Sequence, residues 1–320
     1  MQSMMTRRWL FQAGGATATG LLAGCKKSSP AVTLTLGDQK GGMQSLMELS
    51  GQLTGLPYTI QWAQFAAAAP LFEALNASAI DAGIGGDAPF VFFLASQPSA
   101  QAIAALNYTK ISPNEAGILV RAGSGIHGIH DLVGKKVAVV RGSTGQYVTL
   151  AALKQAGLPL DSVTFVFLEP SDSLTTLLGG GVDGWGAWEP YMSLGELHYG
   201  LQPLPLQVDQ LHGLGFLVAT TQAISGKQAA LQDFLARFGR ARLWAAANKP
   251  AYAAGFAKDT GLPLDVAQRY VDEANYNVSP IDAQSIANVQ ALADLYVQAK
   301  LLTQPLSVAP GFATGFLSES

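Results

Sequence analysis

Residues 80–92 read IDAGIGGDAPFVF. Ala82 and Ile84 suit a short buried strand, Gly85 and Gly86 end it, and Asp87 can cap a helix directly after them. Pro89 then falls in a first helical turn, where a missing N–H does least harm. The stretch predicts a helix that starts at the end of a strand. Such a start presents unpaired amides and the positive end of the helix dipole, a natural seat for a negatively charged ligand, and glycine lets a ligand approach the backbone. An ordinary strand-to-helix turn, with Asp87 as a plain cap, accounts for the same residues.

Two further corners look similar. Upstream, residues 32–36 alternate as a first strand, residues 37–42 (GDQKGG) make a loop, and residues 43–53 carry Leu46, Met47, Leu49 and Leu53 near helical spacing. Downstream, residues 136–140 read as a strand, and Arg141, Gly142, Ser143, Thr144 and Gly145 open a helix over 146–156. Ser143 or Thr144 can cap that helix or turn its hydroxyl toward a ligand. This is no P-loop, because the GxxxxGK[ST] spacing is absent.

Strands over 58–65, 102–106, 116–120, 163–168 and 182–188 alternate with helices over 70–76, 88–96 and 171–178, which predicts a mostly parallel, doubly wound α/β arrangement. The Gly-rich residues 123–136 suit a crossing between two lobes, and 213–220 a strand returning to the first. From residue 228 onward the pattern is helical, over 228–248, 250–258, 263–275 and 281–300, with apolar residues at core spacing. In VDGWGAW, Trp185 and Trp188 fall on opposite faces of a strand, so one should enter the core and the other look elsewhere, such as into a cleft.

With 320 residues, 49% hydrophobic and only 13% charged, the chain has material for two well-packed domains. The net charge of −3, without a basic stripe, argues against a nucleic-acid partner. The single cysteine, Cys25, allows neither an intrachain disulfide nor a CxxC site. Catalytic signatures are missing: there is no HExxH, no GxSxG elbow and no GxGxxG after a strand. His127 and His130 lack a nearby third ligand and read as surface residues, and no metal or cofactor site is expected. Asp81, Asp87, Asp183 and Glu189 stand at strand ends without a demonstrable pairing. The residues describe a binder rather than an enzyme.

Residues 6–25 have the parts of an export signal, with Arg7 and Arg8 ahead of a mildly apolar segment and small residues at its end. Leu22, Ala23, Gly24 and Cys25 resemble the lipobox of bacterial lipoproteins, which implies lipidation of Cys25, and TRRWLF resembles a twin-arginine signal. Residues 26–31 read as a tether, and no segment reaches the roughly 18 to 20 apolar residues of a membrane span. Loss of Arg7 and Arg8 with the signal takes the net charge from −3 to −5. An anion must then be held by local donors.

Four pieces taken together, GDQKGG at 37–42, FEALNASAIDAGIGGDAPFVF at 72–92, LVGKKVAVVRGSTG at 132–145 and VDGWGAWEPY at 182–191, resemble the solute-binding proteins of ABC importers in their aliphatic sulfonate, taurine and nitrate branch. The resemblance implies a two-lobed periplasmic-binding-protein fold (type II) with mostly parallel sheets, hinged by two crossover segments. It divides the chain into a signal at 1–25, a first lobe from 26–121 and 220–320, and a second lobe at 122–219. It implies a ligand cleft lined by Gln39, Gly86, Asp87, Ser143, Thr144, Gly145, Trp188 and Glu189; Arg141 stays outside that set. It further implies an exported, periplasmic, lipid-anchored monomer that passes a small anion, foremost an aliphatic sulfonate, to a permease powered by an ATPase. Nitrate, bicarbonate or a thiamine-precursor pyrimidine are the alternative ligands, and an enzyme such as a desulfinase on the same fold is the alternative activity.

Overall fold

β1 (Thr33–Gln39) buries Leu34 and Leu36 on one face, the alternation that a half-covered strand requires. The computed structural model describes residues 32–39, 41–108, 115–206, 214–273 and 276–317. The export signal, Cys25 and Lys40 of the GDQKGG loop lie outside them. After β1 come α1 (Met43–Leu49), β2 (Thr59–Phe65), α2 (Ala68–Asn76), β3 (Ala82–Gly86), α3 (Asp87–Ala95) and β4 (Ala100–Tyr108). Residues 80–92 are thus the predicted strand and helix, joined without a loop.

A second series comes next: β5 (Ala116–Arg121), a 3-10 turn at Ile129–Leu132, β6 (Lys136–Val139), α4 (Thr144–Gln155), β7 (Thr164–Phe167), α5 (Pro170–Leu178), β8 (Gly184–Trp188), α6 (Tyr191–Tyr199) and β9 (Leu201–Pro203). The chain then returns through β10 (Leu214–Thr220) and closes with α7 (Thr221–Gly226), α8 (Gln228–Ala247), α9 (Lys249–Thr260), α10 (Leu264–Glu273), β11 (Tyr276–Ser279) and α11 (Ala283–Gln298). None of the helices among the described residues is long and apolar enough to cross a membrane.

The strands form two sheets, ordered β11-β4-β10-β3-β1-β2 and β7-β6-β8-β5-β9. Both are mixed rather than mostly parallel. β2, β1 and β3 run parallel in the first and β7, β6 and β8 in the second, while β10, β4, β11, β5 and β9 pair antiparallel. At β5 and β10 the chain passes from one sheet to the other without a covering crossover helix, and each lies antiparallel to its neighbour, β8 or β3. Sheet membership also moves the expected boundaries. β5 belongs to the second sheet and β10 to the first, so the chain changes sheets between β4 and β5 and again between β9 and β10. Residues 123–136 are therefore no crossing; they lie between two strands of the second sheet, with Leu132 in its core.

The helical tail packs back on the first sheet. α8 buries Leu231, Phe234, Leu235, Phe238 and Ala241 at helical spacing against Leu34, Leu36 and Leu106. Each large side chain buried this way contributes about 2 kcal/mol. Lys227 fixes the return, donating from Nζ to the Thr33 carbonyl and to Asp81 Oδ2, both at 2.7 Å. That oxygen also accepts from the Thr35 amide at 2.7 Å. Asp183 Oδ2 repeats the device in the second sheet by accepting from the Lys136 amide at 2.9 Å. Both strand-end aspartates therefore brace strands.

Candidate functional site

The first corner is closed by a residue absent from the expected set. Asp38, 2% exposed, accepts from the Met43 amide at 2.7 Å and, through its other oxygen, from the Gln44 amide at 3.1 Å and Gln64 Nε2 at 3.3 Å. The start of α1 is thus occupied by the chain's own carboxylate, whose pKa burial raises against these hydrogen bonds. Asp38 stands four residues ahead of the N-cap Gly42, outside the position at which a cap is read from sequence, so no local signal singles it out. Gln39, next along, donates from Nε2 to the Ile84 carbonyl at 3.2 Å, tying the end of β1 to the end of β3.

At the second corner Gly86 is the N-cap of α3, and Asp87, buried at its first position, accepts from the Ala88 amide at 2.7 Å. Gly85 serves packing: a Cβ there would run into the Phe72 ring. Asp87 lies within electrostatic reach of Tyr147 on α4 and Tyr296 on α11, and after burial itself it is the next cause that raises both phenols. Tyr147 and Leu150 share an apolar cluster with Phe90 and Val91 of α3, and Phe92 packs on Tyr296 at 4.8 Å between ring centroids. The starts of α3 and α4 therefore meet across the two sheets.

The third corner is the opening of α4. Ser143 is its N-cap, with Oγ accepting from the Gln146 amide at 3.3 Å, and Gln146 Oε1 in turn accepts from the Gly142 amide at 2.7 Å. Gly142 has φ +70°, and a side chain there would strike Phe92 of α3. One turn on, Gly145 lies against the backbone of Gly186 in β8, and Thr149 Oγ1 donates to the Gly145 carbonyl at 2.8 Å. The amides of Thr144 and Gly145, at the first two helical positions, have no acceptor within the helix by geometry. Gln146 is fully buried with Nε2 unpartnered, a donor that no sequence motif singles out. Arg141 turns away, its guanidinium 3.7 Å over the Phe167 ring.

At the end of β8 the two tryptophans separate as the strand period requires: Trp185 is fully buried, while Trp188 is half-buried and meets Tyr191 edge-on at 5.5 Å. Glu189, 8% exposed, accepts from Ser193 Oγ at 2.6 Å and from the Ser193 amide at 3.2 Å. Burial dominates and pushes its pKa up to about 7, the Ser193 hydrogen bonds oppose this, and Glu273 and Arg269 of α10 act with opposite signs.

These contacts form one continuous line: Gln39 to Ile84, Gly86 and Asp87 to Tyr147, Ser143 and Gly145 to Gly186, and then Trp188 and Glu189. The eight expected residues stand at or next to the ends of β1, β3 and β8 and the starts of α3 and α4, and that line is the seam. The seam also carries three buried carboxylates, Asp38, Asp87 and Glu189, so its donors concentrate at the start of α4. A separate cavity of about 560 Å³ opens two residues past Gln39 and is lined by none of the eight.

A family model described as NMT1/THI5 like matches residues 101–253. The chain is 30% identical over 298 residues to an aliphatic sulfonates-binding protein of Escherichia coli (strain K12), covering 92% of each chain. Among solved structures, the alkanesulfonate-binding protein SsuA from Xanthomonas axonopodis pv. citri bound to MOPS superposes with a TM-score of 0.81 at 27% identity, over 89% of this chain and 99% of that one. The desulfurization enzyme DszB shares the fold alone, with a TM-score of 0.65 at 15% identity over 89% and 97% of the two chains.

Proposed function

Because the chain belongs to the aliphatic sulfonates-binding family of ABC-importer solute-binding proteins, we propose that it captures an aliphatic sulfonate in the seam between its two sheets and delivers it to the permease. The observation that carries the reading is the position of α4. Gly142, just ahead of it, lies against Phe92 of α3, and Gly145 in its first turn lies against Gly186 of β8. An anion taken up by the Thr144 and Gly145 amides and the Ser143 hydroxyl would sit beside α3, and any further contact made from the first half on closing would favour the closed form.

Neutral donors suit a sulfonate, which stays ionised and accepts weakly. Glu189, with its raised pKa, can stand protonated beside such an anion, and Trp188 offers an aromatic wall for the alkyl part. Gln39, Gly86 and Asp87 shape the opposite side, Asp87 by orienting the start of α3 rather than by touching an anion. Export to the periplasm, attachment through lipidated Cys25, a monomeric state and partnership with a permease driven by an ATPase complete the proposal. So does the absence of catalysis: Cys25 is the only cysteine of the chain, and the seam holds no histidine.

Titration calorimetry on the purified chain tests the ligand class. Ethanesulfonate and longer alkanesulfonates should release heat with a one-to-one stoichiometry, and nitrate, bicarbonate and an aminopyrimidine should not. Heat from none of the sulfonates on folded protein would overturn the proposal, and sulfite released from an aryl sulfinate would overturn its non-catalytic part.

A further inference from the structure

Gln146 stands third in α4, and none of its surface is exposed. A helical side chain leans toward the N-terminus of its helix, and this one reaches back past Ser143 to take the Gly142 amide on Oε1 at 2.7 Å. A backbone N–H can only donate, so the atom it meets is the carbonyl oxygen, and the other end of the carboxamide is Nε2 by elimination. Nε2 therefore lies at the open end of α4, buried and without a hydrogen-bond partner among the described residues. A buried donor left unmet is destabilising, and one placed at an anion-binding helix end calls for an acceptor that arrives from outside the chain.

The same end carries three further donors. The Thr144 and Gly145 amides precede the first intrahelical hydrogen bonds. Ser143 Oγ accepts from the Gln146 amide at 3.3 Å, which leaves its proton for a ligand. These three lie around the helix axis. Nε2 stands off the axis, on the side where Gly142, at φ +70°, packs against the Phe92 ring of α3.

We propose that Gln146 Nε2 takes one oxygen of the bound anion, distinct from those met by the α4 amides and the Ser143 hydroxyl, and that this donor makes the site select a sulfonate over a sulfinate. This role rests on the sulfonate reading above and deepens it. A sulfonate has three equivalent oxygens. A sulfinate keeps the negative charge, the pyramidal sulfur and two oxygens, with a lone pair on sulfur in the place of the third. Two oxygens satisfy the donors around the axis, and the third meets Nε2. With a sulfinate Nε2 stays buried and unmet, and a site built to hydrogen-bond a group discriminates strongly against the analogue that lacks it. The contact also polarises the carboxamide and strengthens the hold of Oε1 on Gly142, which ties ligand binding to the loop that packs on Phe92. With none of its surface exposed, Gln146 meets the anion when α4 and α3 part at that loop.

Titration calorimetry with ethanesulfonate and ethanesulfinate tests this on the native chain and on Gln146→Met, which keeps the length of the side chain and gives up both polar atoms. Thermal unfolding checks that the variant folds. The native chain should bind ethanesulfonate at least about tenfold tighter than ethanesulfinate, and the variant should lose that advantage by weakening on the sulfonate. Equal weakening of both ligands would overturn the proposal by making Gln146 a brace for the Gly142 loop. Equal binding of both by the native chain, or an unchanged preference in the variant, would overturn it by assigning Nε2 to a buried water. Should Gln146→Met not fold, the side-chain amide resonance of Gln146 in the nitrogen-labelled native chain gives the answer. Its protons should shift downfield with ethanesulfonate and much less with ethanesulfinate, and equal shifts would overturn the proposal. Binding of neither ligand by the folded native chain would instead refute the sulfonate reading, and this role with it.

Discussion

Gly145 and Gly186 touch backbone to backbone, so that α4 lies on β8 with no side chain between them. Gly145 is expected to line a ligand cleft; its bare α-carbon also makes room for β8. A Cβ at Gly186 would stand 2.5 Å from the Gly145 carbonyl oxygen and 2.9 Å from Thr149 Oγ1. Neither neighbour is the free end of a flexible chain. Gly186→Ala should therefore cost about 2 kcal/mol by overpacking, measured by urea unfolding, and should weaken sulfonate binding because the start of α4 moves. Gly226→Ala, where a Cβ meets nothing within 4 Å, should leave stability within about 0.5 kcal/mol.

Glu189 sets a pH dependence. Its folded-state pKa, about 7, lies above the ordinary glutamate value of 4.5, so the unfolded chain ionises first as pH rises. The stability it contributes is fully present below about pH 4.5 and is lost as pH rises through about 7, to an extent on the order of 3 kcal/mol. Urea unfolding at pH 5 and pH 8 should show this difference in the native chain and lose most of it in Glu189→Gln. The glutamine keeps an acceptor for Ser193 Oγ but gives up the bond to the Ser193 amide, so Glu189→Gln should be about 1 kcal/mol less stable at pH 5.

Asp38→Ala removes the acceptor for two α1 amides and for Gln64. Loss of such a cap, with buried donors left unmet, should cost about 2 kcal/mol in urea unfolding. Asp38→Asn keeps one acceptor oxygen and should recover part of the loss, which separates hydrogen bonding from charge.

The strand and helix of residues 80–92 were legible because hydrophobic spacing and glycine and proline positions are local signals. The opposite faces of Trp185 and Trp188 came from strand period alone. Sheet membership was not legible: nothing within residues 116–121 says that this strand pairs with β8 rather than β4. The YNVS strand at Tyr276–Ser279 is too short, between two helices, to show a period, and pairing with β4 decides it. The site was legible as a set of corners, but not as a distribution of charge. Asp81 and Asp87 stand at the same spacing as Asp183 and Glu189, one member bracing a strand and the other opening a helix turn in each sheet, and only the contacts show which does which.

One ion pair and one histidine–carboxylate contact join α6, which packs with the second sheet, to α10, which belongs to the tail covering the first. Arg269 Nη2 lies 3.0 Å from Glu196 Oε1, with both side chains about a fifth exposed, and His198 Nε2 lies 3.0 Å from Asp265 Oδ1, one turn earlier on α10. A half-buried pair of this kind contributes about 1 kcal/mol. That amount is small against the whole fold but large against an opening equilibrium of a few kcal/mol. Arg269→Met should therefore change global stability by no more than about 1 kcal/mol, while small-angle scattering of the ligand-free chain shows a larger radius of gyration and sulfonate binding weakens several-fold. The same substitution removes a cation that lowers the Glu189 pKa, so the pH at which stability is lost should move upward from about 7. A variant that opens the chain without moving that pH would separate the ion pair from Glu189, and one that moves neither would show that α6 and α10 do not hold the halves together.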